Sequence, residues 1–138
     1  MDNEKVVGII GGMGPEATVD MIAQVIRATP ARDDIDHIRM LVDNNPKIPS
    51  RIKAVIEGTG ESPAPCMGEM ARNLVAWGDD FLVIPCNTAY YYYDAVQAAV
   101  DVPVLNMIDL TVDAIITENP TVRYPGLLAS TAVLMTGF

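Results

Sequence analysis

The stretch FLVIPCNTA, residues 81–89, joins a short apolar run directly to a cysteine and two small polar residues. The run is typical of a strand buried on both faces, as in a parallel sheet. Ligands of such sheets bind at the carboxyl ends of the strands, where Cys86 would stand. The helix that follows would favour a thiolate, and Asn87 and Thr88 could hold a carboxylate. We therefore predict a reactive thiol, the alternative being a cysteine buried as a small hydrophobe.

The rest of the chain alternates strands with helices. Strands are predicted over residues 6–10, 37–43, 81–85 and 102–105, and helices over about 15–28, 52–56, 66–77, 90–100 and 109–117. This alternation indicates βαβ units with right-handed crossovers. We therefore predict an α/β fold, a three-layer α/β/α arrangement around a mainly parallel four-stranded sheet.

The last twenty residues do not continue this pattern. Residues 119–125 are typical of a linker, residues 126–130 of the first strand of a new unit, and residues 131–138 of its turn and the start of its helix. We therefore expect one α/β lobe over residues 1–118 and a linker with the start of a second lobe over 119–138. The predicted strand would either extend the sheet or stay exposed as a sticky edge.

Composition limits the classes of partner. The chain has 138 residues, half of them hydrophobic, and a net charge of −9, which argues against nucleic acid and anionic membranes. No segment reaches the ~20 apolar residues that cross a bilayer, and the acidic start MDNEK is not a secretory signal. A cytoplasmic protein is expected, with Cys66 and Cys86 as free thiols.

Other candidate residues follow the first two strands. The glycines of GGMG, residues 11–14, lack the spacing of a dinucleotide or triphosphate loop, so they let the backbone approach a small ligand or merely turn the chain. Asn44 and Arg51 follow the second strand, at the same sheet edge as Cys86. Arg51 could pair with a carboxylate, or it is a solvated surface arginine.

The second cysteine and the only histidine carry weaker signals. Cys66 opens a helix that runs antiparallel to the strands, so it should return to the edge where Cys86 lies; the alternative is a plain helix start. His37 opens the second strand at the opposite edge and is expected to be structural. One histidine and two distant cysteines make no zinc cluster.

Together these segments resemble the aspartate/glutamate racemase family, in particular its aspartate-racemase-like branch. The matching motifs are VGIIGGMGPEAT at residues 7–18, DNNPKIPSR at 43–51, IPCNTA at 84–89, VLNMI at 104–108 and GLLAS at 126–130. The resemblance spans nearly the whole chain. It implies an isomerase of amino-acid metabolism with two pseudo-symmetric α/β lobes, working without pyridoxal phosphate or metal.

The resemblance also implies roles for particular residues. One cysteine from each lobe flanks the α-carbon of a small acidic amino acid, aspartate or glutamate, and moves its α-proton. Cys86 would be the acid/base of the first lobe, and the second cysteine would lie beyond Phe138. The residues implied to bind substrate are Met13, Gly14, Asn44, Arg51, Asn87, Thr88 and, from the second lobe, Ser130.

The resemblance has one local departure and leaves rival functions open. The family motif continues with histidine after Cys-Asn-Thr-Ala, whereas this chain has Tyr90. Because the second thiol is missing, the truncated chain is expected to be weak or inactive as a racemase. One alternative is a non-catalytic carboxylate-binding or self-associating module, which predicts a homodimer. Another is a one-thiol lyase or isomerase acting on a small dicarboxylic acid.

Overall fold

The structure, a computed structural model, describes residues 4–136 and contains a three-stranded parallel sheet. Its strands are β1 (Val7–Gly11), β2 (Met40–Asn44) and β3 (Phe81–Val83), in the order β2-β1-β3. Two short ends lie outside the described residues. They are residues 1–3, where the segment predicted not to be a secretory signal begins, and residues 137–138, where the last predicted helix ends. The α/β class and the parallel sheet are confirmed.

Within residues 4–136, five α-helices accompany the sheet, close to the predicted positions. They are α1 (Pro15–Ala28), α2 (Ala64–Trp77), α3 (Tyr93–Gln97), α4 (Met107–Glu118) and α5 (Thr131–Thr136). A single π-helical turn, Lys53–Glu57, replaces the predicted short helix. The predicted helix over residues 90–100 is instead a 3-10 turn, Asn87–Tyr92, followed by the five-residue α3. None of the helices within residues 4–136 is long and apolar enough to span a bilayer.

Two apolar clusters fill the opposite faces of the sheet. The larger cluster contains Ile10 and Leu82 from the strands together with Met67 and Leu74 of α2. The smaller contains Val7, Ile9 and Val83, packed against Met21 and Ile22 of α1. Successive strand residues point to opposite faces, so an unbroken apolar strand supplies both clusters. This is the three-layer arrangement that the sequence predicts.

The prediction of a fourth strand over residues 102–105 is wrong. The Val104 segment, residues 102–106, touches β3 through one parallel bridge between Leu82 and Val104. Leu82 donates to the Pro103 carbonyl at 2.9 Å, and Leu105 donates to the Leu82 carbonyl at 2.8 Å. The ladder stops there, and the Leu105 carbonyl and the Met107 amide bond the Tyr90 hydroxyl instead. β3 itself ends at Val83, two residues earlier than predicted.

The predicted strand over residues 126–130 is also absent, since residues 122–130 have no regular structure. A strand forms only against a partner, and no described strand lies beside this segment. Its apolar side chains are in solvent: Tyr124 is 93% exposed and Leu128 is 99% exposed. The helix before it, α4, has no buried residue although most of its residues are apolar. The end of the described chain therefore presents an uncovered apolar surface.

Candidate functional site

Three loops leave the same edge of the sheet, here called the carboxyl edge. Gly11 and Asn44 are paired in register at the ends of β1 and β2, and Ile9 is paired with Val83 at the end of β3. Three segments therefore begin at this edge: the glycine loop (residues 12–14), the segment from Asn44 to Arg51, and the segment after Val83. Ligands of parallel sheets bind there, so the topology groups most of the predicted site residues.

Thr18 of α1 holds the glycine loop in place. Its hydroxyl accepts a hydrogen bond from the Gly12 amide at 2.9 Å and donates to the Gly14 carbonyl at 3.3 Å. Gly12 has φ of +96°, and a side chain there would overlap the backbone of Asn45. The loop thus lies directly against the chain that follows β2. Thr18 is not among the predicted site residues; its signal in the sequence is a hydroxyl in the first helical turn after a glycine-rich loop.

Asn45 links the second loop to Cys66. Its side-chain oxygen accepts from the Lys47 amide at 2.9 Å, and its amide nitrogen donates to the Cys66 sulfur at 3.7 Å. Cys66 therefore does return to the carboxyl edge, as the direction of α2 predicts. Burial raises the pKa of the Cys66 thiol, and the carboxylates of Glu69 and Asp43 raise it further. Cys66 is consequently a protonated thiol at neutral pH.

Cys86 is half-buried at the end of the chain that continues β3. Its amide donates to the Ile84 carbonyl at 2.9 Å, so the chain turns sharply at this point. The 3-10 turn that follows carries Asn87, which is exposed, and Thr88, which is half-buried. Within residues 4–136 neither of these two side chains makes a hydrogen bond, which leaves their donors available to a ligand.

Two details differ from the expectation for Cys86. The element after it is a 3-10 turn and a short helix rather than one long helix, so fewer amides are aligned toward the sulfur. Tyr90, in the position of the family histidine, is 5% exposed, and its hydroxyl donates to the Leu105 carbonyl at 3.1 Å. Since a phenol has one proton to donate, this hydroxyl does not donate to the thiol.

Arg51 and Ser130 reach the same region from different directions. Arg51 is half-buried, and its Nε–H has no hydrogen-bond partner among residues 4–136. Burial and Tyr91 raise the pKa of Tyr92, while the charge of Arg51 lowers it, so the guanidinium lies near the turn after Cys86. α5 packs against both the Lys53–Glu57 turn and the Asn87–Tyr92 turn. Ser130, exposed, directly precedes α5.

The remaining predicted residues differ in accessibility. Gly14 and Asn44 are exposed at the edge, whereas the Met13 side chain is 5% exposed and lies in the larger apolar cluster. Two cavities lie elsewhere. One of about 390 Å³ is lined by α2 and α3, and one of about 250 Å³ is lined by residues that include His37 and Phe81. Neither of these two cavities is lined by a predicted site residue.

His37 is distant from this edge, as predicted, because it precedes β2 at the opposite end of the sheet. Within the described residues, no group of three or more His, Cys, Asp or Glu side chains is arranged to hold a metal ion. The polar groups at the carboxyl edge include thiols, amides, hydroxyls, the Arg51 guanidinium and the Asp43 carboxylate.

Comparison with known proteins gives a consistent result. The family model for Asp/Glu/hydantoin racemase matches residues 10–138. The broad specificity amino-acid racemase RacX of Bacillus subtilis (strain 168) is 34% identical over 113 residues, which are 79% of this chain and 48% of RacX. This chain therefore spans about half the length of that relative.

Solved structures give the same result. An aspartate racemase from Picrophilus torridus matches with a TM-score of 0.85 and 36% identity, over 96% of this chain and 55% of the other. An aspartate racemase homologue from Pyrococcus horikoshii OT3 matches with a TM-score of 0.64 and 20% identity, over 84% and 50% of the two chains, which shows the shared fold alone. The chain belongs to the Asp/Glu/hydantoin racemase family.

Proposed function

We propose that this chain carries the first half of a cofactor-independent amino-acid racemase site, with Cys86 as its acid/base. The observation that carries the proposal is the position of Cys86 at the carboxyl end of β3. There it stands beside the unbonded donors of Asn87 and Thr88, in a chain whose family match extends over residues 10–138. The relatives are named as racemases of amino acids, including aspartate.

The chemistry asked of Cys86 is the removal of the α-proton of an amino acid. As the thiolate takes this proton, an S–H bond forms, the Cα–H bond breaks, and its electron pair moves toward the α-carboxylate. Donors aimed at that carboxylate stabilise the charge as it develops. Asn87 and Thr88 are suited to this role because their side chains make no hydrogen bond within the described residues.

Arg51 is suited to hold a second carboxylate, as in aspartate or glutamate. A guanidinium binds a carboxylate through two parallel N–H groups, and the Arg51 Nε–H is buried without a partner in the described part of the chain. Gly14 and Asn44 offer exposed groups at the same edge, and Ser130 precedes the helix that packs over it. The proposed substrate is therefore a small acidic amino acid.

Inversion needs a second acid on the opposite face of the α-carbon. That acid gives its proton to Cα and is left as its conjugate base, which completes the exchange of configuration. We assign it to the half of the family architecture that this chain does not span. Alone, the chain is expected to exchange the α-proton through Cys86 with little net inversion.

The test is α-proton exchange of L- and D-aspartate and glutamate in deuterium oxide, followed by NMR. We expect exchange that falls at least about 100-fold in Cys86→Ala, the range that general acid–base catalysis covers. Cys66→Ala is the matched control, since it removes the other thiol and is expected to exchange normally. A folded parent chain without exchange, or exchange that persists in Cys86→Ala, would overturn the proposal.

A second candidate function is a carboxylate-binding module that associates with itself. The observation that favours it is the uncovered apolar surface of α4 and residues 122–130, on which Leu128 is 99% exposed. This candidate predicts a homodimer in sedimentation velocity and binding of aspartate without isotope exchange. Concentration-independent sedimentation as a monomer would exclude it.

A further inference from the structure

Tyr90 occupies a position in the sheet that a backbone group would normally fill. Leu82 and Val104 form a regular parallel bridge, with Leu82 donating to Pro103 and Leu105 donating to Leu82. In a parallel ladder the next pair of bonds would run from the Ile84 amide to the Leu105 carbonyl and from the Met107 amide to the Ile84 carbonyl. Neither bond is present in the part of the chain that the structure describes.

The Tyr90 hydroxyl takes over two of these four groups. It donates to the Leu105 carbonyl at 3.1 Å and accepts from the Met107 amide at 3.3 Å. Burial raises the pKa of this hydroxyl, and the hydrogen bond from the Met107 amide opposes that rise. A third group, the Ile84 carbonyl, accepts a hydrogen bond from the Cys86 amide at 2.9 Å.

The hydrogen bonds of the Tyr90 hydroxyl and of the Ile84 carbonyl bear on the position of Cys86. If the ladder continued, Ile84 would pair with the Val104 segment and Cys86 would lose the turn that carries it away from the sheet. The Cys86 thiol also adds to the rise of the Tyr90 pKa, so the sulfur lies close to the ring. The hydroxyl thus lies between β3 and the Val104 segment, in the apolar cluster against which Cys86 packs.

We propose that Tyr90 is a positioning residue for Cys86, holding the thiol at the carboxyl edge by occupying the next rung of the β3 ladder. This inference rests on the proposed function only in taking Cys86 as the reacting group. The expected effect of losing the hydroxyl is that the ladder closes, the turn at Cys86 opens, and the sulfur becomes more accessible.

The chain offers a matched control in Tyr93. Its hydroxyl donates to the Val104 carbonyl at 3.0 Å, and its ring stacks on that of Tyr90 with centroids 6.1 Å apart. It holds the same segment but makes no hydrogen bond to Ile84 or Met107 within the described residues. Tyr90→Phe and Tyr93→Phe therefore remove similar bonds and differ in their link to Cys86.

The experiment measures alkylation of Cys86 by iodoacetamide across pH in a Cys66→Ala background, with melting temperature recorded for every variant. We expect both phenylalanine variants to melt lower, and only Tyr90→Phe to raise the limiting alkylation rate, by about fivefold, the equivalent of one hydrogen bond. Equal alkylation profiles in the two variants would make Tyr90 merely structural and overturn the proposal.

A second measurement needs no variant at position 90. In the Cys66→Ala protein, alkylation of Cys86 should speed amide hydrogen exchange at Ile84 and Met107. The amide of Val104 is the internal control, because it donates a hydrogen bond to Gln97 and should exchange as before. Unchanged exchange at both amides would overturn the proposal. Because neither readout depends on turnover, a chain without α-proton exchange that still gives these results would contradict the proposed function and leave the role of Tyr90 intact.

Discussion

β1 and β2 meet along five residue pairs, from Val7 with Met40 to Gly11 with Asn44, whereas β3 meets the Val104 segment at a single pair. On the β2 side, a continuous backbone ladder joins the two strands. On the Val104 side, the side chains of Tyr90, Tyr93 and Gln97 replace most of the bonds of such a ladder. These three side chains lie along the turn and helix that follow Cys86.

The β1–β2 pairing and the β3–Val104 pairing should therefore be sensitive to different kinds of mutation. A backbone ladder tolerates many side chains but no displacement of the backbone itself. A segment held by side chains can be released by changing one residue, because the buried amides and carbonyls then lose their partners. The thiol that we propose as the acid/base lies on the second kind of side, so its position depends on individual residues.

The largest expected loss of stability tests the β1–β2 side, where the backbone ladder is continuous. Gly12→Ala should destabilise the chain by about 2–4 kcal/mol, since it combines a strained positive φ with overlap on the Asn45 backbone. Gly14→Ala is the matched control, with negative φ and no atom within 4 Å of the added carbon. Urea unfolding measures both, and equal losses would show that the loop is not pressed against Asn45.

The next effect tests the side held by side chains. Gln97→Ala should cost about 1–3 kcal/mol, because it leaves the buried Val104 amide and the Val102 carbonyl without the bonds of 2.8 and 3.0 Å that they make to Gln97. Gln24→Ala, on the exposed face of α1, should stay within about 0.5 kcal/mol of the parent. A Gln97 variant as stable as the Gln24 variant would mean that the Val104 segment is held by other contacts.

A smaller effect concerns Asp79, which lies two residues before β3. It is 6% exposed, and neither of its carboxylate oxygens has a hydrogen-bond partner among the described residues. Burial raises the pKa of Asp79; its own backbone amide opposes that rise, and the neighbouring Asp80 adds a smaller upward contribution. Asp79→Asn should therefore raise the melting temperature at pH 7 by about 3 °C.

The pH dependence of the adjacent carboxylates should have opposite signs. The raised pKa of Asp79 gives stability that is present below its unfolded value of 3.8 and lost as the pH rises through its folded value. The pKa of Asp80 is lowered by the Val6 amide and then by Lys5, so its stability is present above 3.8 and lost on acidification. Asp80→Asn should lower the melting temperature at pH 7, and melting curves between pH 3 and pH 8 would test the pair.

Patterns local in the sequence predicted much of the fold. The apolar runs of β1 and β3 are buried as continuous strands, and Pro15 starts α1 where a missing amide has no cost. The rule that parallel strands share one carboxyl edge was enough to group the loops of Asn44 and Cys86. The roles of the site residues stay predictions.

What could not be predicted depends on contacts between distant residues. Residues 102–105 have the composition of a strand, but the Tyr90 hydroxyl competes for the Leu105 carbonyl and the Met107 amide, which no periodicity reveals. The contact of Asn45 with the Cys66 sulfur likewise joins positions 21 residues apart. Residues 126–130 have strand-like composition too, but pairing requires a partner strand that the described chain does not supply.

The smallest expected effect on stability concerns α4, the helix that directly follows the Val104 segment. Its Leu110 is 54% exposed and its Ile116 is 59% exposed, whereas apolar residues of α1 pack on the sheet. Ile116→Glu should change the melting temperature by less than about 2 °C, since little burial is lost. It should reduce any self-association in sedimentation velocity, because a charge disfavours burial of that face. Asp113→Glu on the same helix, which preserves charge, should change neither quantity. Undiminished association of the Ile116 variant would move the contact away from α4 to the exposed residues 122–130.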